Sequence, residues 1–293
     1  MTPDPFVTHR GLLFTVAYEL LGSAVDAEDV LQESWLRWAA VDQTQVREPR
    51  PYLVRIVTRQ ALNHLRSVAR RREEYVGEWL PEPVLTSPDV ADDVELADSL
   101  SIAMLTVLET LGPTERAVFV LREVFDVSYD EIADAVGKSP DAVRQIAHRA
   151  RSHVAARRPR AGAVVTRSEH ARAVDRLVRA VNTGDLQGLM DVLAPDVVSV
   201  ADGGGKVRGA ARRPIVGADR IARYLVNGLA KLGRTYHASV AWVNGGPGIR
   251  MEVDGELVGV VSVDVEGERI TRIYSIANPE KLGRLDEEAV VSR

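Results

Sequence analysis

SYDEIADAVGKSPDAVRQIAHRAR, Ser128 to Arg151, reads as two short helices about a glycine turn, the second bristling with Arg, Gln and His. Ser128 and Glu131 stand at the spacing of a capping box and start a helix whose apolar side is Ile132, Ala133 and Val136; Gly137 supplies the turn. Ser139 and Pro140 then form a second start signal, N-cap followed by first helical position. Val143, Ala147, Ala150 and Val154 recur at helical spacing with Ile146 beside them, so they face inward. Arg144, Gln145, His148 and Arg149 are left facing outward. Such side chains suit a DNA groove, because Arg can fork onto guanine and Gln onto adenine while neighbouring Arg hold phosphates. A plain helical hairpin with a charged exterior has the same periodicity, so the flanking sequence has to decide.

The chain has 293 residues and a formal net charge of -5, which conceals a blocked distribution. Arg50 to Arg72 holds seven Arg and no acid, and Lys138 to Arg160 holds seven basic residues against Asp141. Between them, Glu73 to Asp98 holds nine acids and no base. Any one charge run could be a solvated helix face; two unopposed cationic blocks, one on a helix-turn-helix, favour phosphate contacts. Local charge binds DNA where the total does not.

Length allows about two domains, and 45% apolar residues can fill real cores. Absence of Cys excludes disulfides and thiolate chemistry and suits a cytosol. No signal pattern opens the chain and no apolar run nears the roughly 18 residues that span a bilayer, so a cytoplasmic protein without membrane contact is expected. The six His are scattered without ligand spacing, so neither metal nor other cofactor is expected.

Ahead of the helix-turn-helix, DAEDVLQESWLRW (26–38) puts Glu28, Asp29, Gln32 and Glu33 on one acidic face and is read with Val30, Trp35 and Trp38 toward the other side. An acidic face does not touch DNA and suits docking on protein. Then PYLVRIVTRQALNHLRSVARRR (51–72) is an Arg-studded helix in which Leu53, Ile56, Val57, Leu62 and Leu65 pack while Arg55, Arg59, Asn63 and Arg66 are exposed. In this order the features resemble the extracytoplasmic-function (ECF) sigma factors. The resemblance implies an acidic helix on the polymerase clamp, formed by the largest subunit, through Asp29, Gln32 and Glu33. It implies −10 recognition by Arg55, Arg59, Asn63 and Arg66, and −35 recognition by Arg144, Gln145, His148 and Arg149 from a region lying on the flap of the second subunit. Two departures stand out: Arg59 and Asn63 occupy positions where the family commonly shows Asn and Asp, and Ile146 stands where a basic residue is frequent. They bear on which promoter is read.

Between the two helical regions, YVGEWLPEP (75–83) sets Trp79 and Leu80 ahead of two prolines, which is odd for a passive tether. Either a neighbouring helix or something more distant in sequence covers Trp79.

The remaining third changes period. After a helix with Ala173, Val174, Leu177, Val178 and Val181, a second short helix turns at Pro195 into a strand. GADRIARYLVNGLAKL leads to four alternating stretches at about 236–243, 248–254, 257–265 and 268–276, with turn signals NGGPG, DGE and EGE. This α+β plan resembles the nuclear-transport-factor-two (NTF2) fold and the SnoaL-like polyketide cyclases, and a curved sheet under helices leaves a pocket where a small-molecule ligand would sit. WLPEP (Trp79, Leu80, Pro81, Glu82, Pro83), DGGGK (Asp202, Gly203, Gly204, Gly205, Lys206) and NPEKL (with Asn278 and Pro279) match the subgroup of ECF sigma factors with a fused SnoaL-like extension. That resemblance implies control of the sigma core by the extension in place of a separate anti-sigma protein. On spacing alone DGGGK is equally a flexible hairpin loop and NPEKL a turn.

The expected fold is therefore multidomain: sigma region 2 over 1–75, a linker over 76–94, sigma region 4 over 95–160, both all-α, and an α+β SnoaL-like domain over 166–293. A free monomer is expected, with core RNA polymerase and promoter DNA as partners. Docking of DGGGK against Trp79–Pro83 is expected to be dominated by burial of Trp79, with Lys206 reaching Glu78 or Glu82. Two other readings stand beside this one: a free-standing DNA-binding regulator with a sensor domain, which has no need of the acidic face, and a cyclase fused to a DNA-binding module using Asp202, His237 and Asp264, which nothing in their spacing links.

Overall fold

The computed structural model describes residues 4–73, 75–157 and 165–293, leaving aside the side chains of 68–73 and 232. The side chains of Arg70, Arg71 and Arg72, and residues Arg158 and Arg160 with the expected boundary near them, lie outside the described residues. Two compact units form, and they do not follow chain order. One gathers Met1–Glu73, Asp92–Arg158 and Ala289–Arg293; the other gathers Glu74–Ala91 and Pro159–Glu288. The segment read as a linker therefore folds largely with the extension.

The first unit is all helical: α1 (Pro5–Thr8), α2 (Arg10–Leu21), α3 (Ala24–Ala39), α4 (Pro49–Glu73), α5 (Val94–Leu100), α6 (Ile102–Leu108), α7 (Pro113–Phe119), α8 (Tyr129–Val136) and α9 (Pro140–Arg157). The sequence of α2, RGLLFTVAYELL, is apolar nearly all round, and a helix of that kind must be central. Leu13, Val16, Ala17, Tyr18, Leu20 and Leu21 are fully buried in it, with α3 and α4 packed about them. The helix-turn-helix forms as read: Ser128 and Glu131 make the capping box, Gly137 is left-handed at φ 68°, and the Ser139 hydroxyl accepts from Ala142 N–H at 3.3 Å. Val143, Ile146, Ala147, Ala150 and Val154 are buried.

The second unit is α+β, with α10 (Arg167–Thr183), α11 (Leu186–Val192), β1 (Leu193–Asp202), β2 (Ile215–Val216), α12 (Ala218–Leu232), β3 (Tyr236–Val243), β4 (Gly246–Val253), β5 (Glu256–Glu266) and β6 (Arg269–Ile276). Strands run β2-β1-β6-β5-β4-β3; β1 is parallel to β6 and every other pairing is antiparallel. This is the expected helix-then-meander plan. Between helices and sheet, where a ligand pocket was expected, Leu177, Leu189, Ile221, Ile249, Val263 and Ile273 pack as a buried aliphatic core. A smaller cluster of Val243, Val260 and Leu285 takes in Leu85 from the linker and Leu282.

Candidate nucleic-acid interface and linker clasp

The densest polar site in the α+β unit is built around Asp202 at the end of β1. Its carboxylate is fully buried and accepts from four donors: Tyr75 Oη at 2.5 Å, Leu80 N–H at 2.9 Å, Gly204 N–H at 3.0 Å and Lys281 Nζ at 2.7 Å. Lys281 also donates to Leu80 O, and its ammonium lies 4.0 Å from the Trp79 ring centroid and 5.0 Å from that of Tyr75. Asn278, 1% exposed, donates to Tyr75 Oη at 2.7 Å, and its backbone N–H and that of Ala277 reach Asp202 O. Burial and the hydrogen bond to Asp202 push the Tyr75 phenol far above its ordinary pKa, so it stays a donor.

Two glycines explain the loop. Gly204 (φ 59°) has no room for a side chain, since a Cβ would lie 2.6 Å from Asn278 Cγ; at Gly205 (φ 70°) it would lie 2.9 Å from Val76 Cβ. All three matched strings thus meet in one place. Their internal balance differs from the expectation. Trp79 is only half-buried, while Leu80, Pro81, Glu82, Pro83 and Val84 are buried, because the tryptophan lies as a lid beneath the Lys281 ammonium and the extended backbone behind it goes inside. Lys206 pairs with Glu280, three residues beyond Ala277 on the same rim, and not with Glu78 or Glu82.

Further along, the linker adds to the free edge of the sheet. Val84 N–H donates to Asn244 Oδ1 at 3.1 Å while Asn244 N–H donates to Val84 O at 2.9 Å; Thr86 N–H reaches Trp242 O at 3.1 Å, and Gly245 N–H reaches Thr86 Oγ1 at 3.0 Å. Arg167 donates to Pro88 O at 2.9 Å with its guanidinium 4.6 Å from the Trp242 ring. This strand addition uses the main chain for grip and covers an otherwise open edge.

In the helical unit, Arg144, Gln145, His148 and Arg149 are all exposed on one side of α9. Asp141 pairs with Arg144, and the Tyr129 ring lies 5.7 Å from its guanidinium, so that fork is held in place. On α4, Arg59, Asn63 and Arg66 are exposed and Arg55 is half-buried, 4.9 Å from the Tyr52 ring. Arg59 donates to Asp134 O at 2.6 Å and Ala135 O at 3.4 Å on α8, so the two helical regions touch through a side chain read as DNA-facing. On α3, Asp29 and Gln32 are exposed, Glu28 pairs with Arg10, and Glu33 accepts from Gln60 at 2.8 Å. Trp35 corrects the reading: it is 45% exposed, with Leu36 at 60%. It follows Glu28 by seven residues and Gln32 by three, so helical geometry puts it on the acidic side, while Val30 and Trp38 turn in, Trp38 donating to Asp4 Oδ1 at 3.1 Å.

The Asp202, His237 and Asp264 trio is not assembled. His237 is exposed on β3 and Asp202 lies on β1, four strand spacings away, roughly 19 Å. Asp264, raised above the ordinary carboxyl range by burial, accepts from Tyr274 Oη at 3.0 Å.

Residues 6–72 match the family Sigma-70 region 2 and residues 101–154 match Sigma-70, region 4. The chain is 37% identical to the ECF RNA polymerase sigma factor SigJ of Mycobacterium tuberculosis, an alignment covering 96% of this chain and 93% of that one. The chain belongs to the ECF RNA polymerase sigma factors. This ECF sigma factor is also 32% identical to the probable ECF sigma factor SigI of the same organism, covering 96% and 94% of the two chains. Its fold matches the crystal structure of M. tuberculosis SigJ at a TM-score of 0.74 and 34% identity, over 96% of this chain and 98% of that one. It is an alternative sigma factor for promoter-specific transcription initiation.

Within this sigma factor, the residues that sequence reasoning missed are Tyr75, Lys281, Thr86, Arg167, Trp242 and Asn244. Lys281 was within the NPEKL string, and Asn244 within NGGPG, where it registered only as a turn. Their roles depend on partners 79 to 203 residues away, which no local pattern records.

Proposed function

We propose that the extension controls this sigma factor in cis by gripping the linker between its promoter-reading regions. In this reading residues 1–75 are region 2, 76–94 the linker, 95–160 region 4 and 166–293 the regulatory domain. Region 2 meets the clamp of core polymerase through Asp29, Gln32 and Glu33 and reads the −10 element through Arg55, Arg59, Asn63 and Arg66. Region 4, on the flap, reads the −35 element through Arg144, Gln145, His148 and Arg149. The protein works in the cytoplasm and performs no covalent chemistry; the dispersal of Asp202, His237 and Asp264 over the sheet supports that.

The observation that carries the reading is Asp202, a fully buried carboxylate two of whose four donors are Tyr75, the last residue before the linker, and Leu80 within it. A buried charge is retained only where its partners are fixed, so gripping the linker and folding the loop are one event. A fixed linker restricts how far the two promoter-reading regions separate; a released one lets them spread over two elements. The test is run-off transcription with purified core polymerase and the Asp202→Ala/Lys281→Met pair, which removes both buried charges together. Transcript several-fold above the unmodified protein at equal core binding is expected. Equal transcript would leave the extension without control.

A further inference from the structure

Residues Ala289–Arg293 group with the helical unit and not with the extension that precedes them in the chain. Their contacts there join two parts of the sigma core. Ser292 donates its backbone N–H to the Thr15 hydroxyl at 3.0 Å; that side chain is fully buried in α2 and itself donates to Gly11 O at 2.8 Å. Gly11 makes room for the passing segment, since a Cβ there would lie 3.0 Å from Ser292 Oγ and 3.3 Å from Val290 Cγ1. Arg293 then forks onto two acids at the start of α5, with Nε 2.7 Å from Asp93 Oδ2 and Nη1 on Glu95. Asp93 is at the same time the N-cap of α5, accepting from Leu96 N–H at 3.1 Å. One short extended segment thus spans α2, inside the region 2 match, and the helix that leads into the region 4 match.

We propose that residues 290–293 are a peptide ligand carried in cis, seated on Gly11 and Thr15 of α2 and on Asp93 and Glu95 of α5, and that the seated segment latches region 2 to region 4. The seat selects a strand-like peptide by its backbone N–H and a guanidinium one residue beyond the point of closest approach to α2. Its acids suit no anionic occupant, and the missing Cβ at Gly11 admits the main chain. The grip is light: Val290 is 72% exposed and exposed charge pairs are weak, so the segment leaves readily when something else takes either region. The arrangement it holds is the one in which Arg59 is engaged on Asp134 O and Ala135 O rather than facing promoter DNA. This latch is separate from the Asp202 clasp. Its gating role rests on the proposed reading that the two regions must part to reach −10 and −35, whereas the seat itself does not.

The chain has no Cys, so an engineered pair reports the contact without background. In the full chain, Gly11→Cys with Ser292→Cys brings the two side chains within disulfide reach; Thr15→Cys with Ser292→Cys addresses the same contact should the first pair fold poorly. Oxidation is expected to close the bond quantitatively. Adding Arg293→Glu is expected to slow closure at least tenfold, and adding Asp93→Lys and Glu95→Lys to that variant to restore the rate. The oxidised protein is expected to yield at least tenfold less run-off transcript than the same protein after reduction. Failure of both pairs to close, or closure indifferent to Arg293→Glu, would overturn the seat; oxidised and reduced forms of equal activity would overturn the latch.

Discussion

Lys281 sits 9% exposed between Asp202, Leu80 O and two aromatic rings, a position in which an ammonium is held only by its partners. Replacing it alone by Met leaves a buried carboxylate whose remaining donors are neutral, and loss of one member of a buried pair costs about 3–5 kcal/mol. The Asp202→Asn/Lys281→Met pair removes both charges and is expected to cost clearly less, so a double-mutant cycle on thermal unfolding should be strongly non-additive. Additive losses would mean that the two side chains do not act as a pair. Glu19 carries a second residue-scale prediction. It is fully buried in α2, accepting from Ser99 Oγ at 2.7 Å, and burial pushes its carboxyl from 4.5 up to about 8 despite Ser99 and Arg116. The folded state therefore binds a proton that the unfolded state releases above about pH 4.5. Its stabilising contribution is complete below that pH and is lost as pH rises through about 8. Glu19→Gln should flatten the fall in melting temperature over that interval, and an unchanged pH profile would remove Glu19 from the account.

At the scale of elements, α9 and α3 make separable predictions. Arg144→Ala should weaken −35 binding by about 1–3 kcal/mol and relax preference at one base pair if it meets a base, or weaken all sequences alike if it meets phosphate; gel shift against a panel of sites distinguishes them. Reversing Asp29 and Glu33 to Lys should abolish association with core enzyme while the helix stays folded. Trp35 and Leu36, exposed on the same helix, belong to that test, and Trp35→Ala should weaken core binding as well. The elements themselves were legible wherever a local rule governed them. The Ser128–Glu131 capping box, the Gly137 turn and the alternation over Tyr236–Val243 each need only neighbouring residues. Trp35 was misplaced because its hydrophobicity was weighed above its angular position, and Trp79 because an aromatic was taken as more in need of cover than the backbone following it. The second anchor of the linker, at Asn244, was illegible because its side chain and main chain both pair with Val84, 160 residues away, and a turn residue is all that its own neighbours make of it.

For the whole molecule, the chain order is folded back on itself: the linker belongs with the extension, and the 289–293 segment belongs with the sigma helices. In the proposed reading, an extension that holds the tether between the two promoter-reading regions acts on their separation. The separation itself is measurable, because a chain without Cys accepts two spin labels and no others. Labels at Asn63→Cys on α4 and Gln145→Cys on α9 report the distance between those two helices by pulsed electron spin resonance. With Arg293→Glu in both proteins to release the separate latch, a single narrow distribution is predicted where the clasp is intact, and for the Asp202→Ala/Lys281→Met variant a broad one extending to longer distances. A variant that keeps the narrow distribution of the intact clasp would contradict the claim that the extension sets the geometry of the sigma core through its linker.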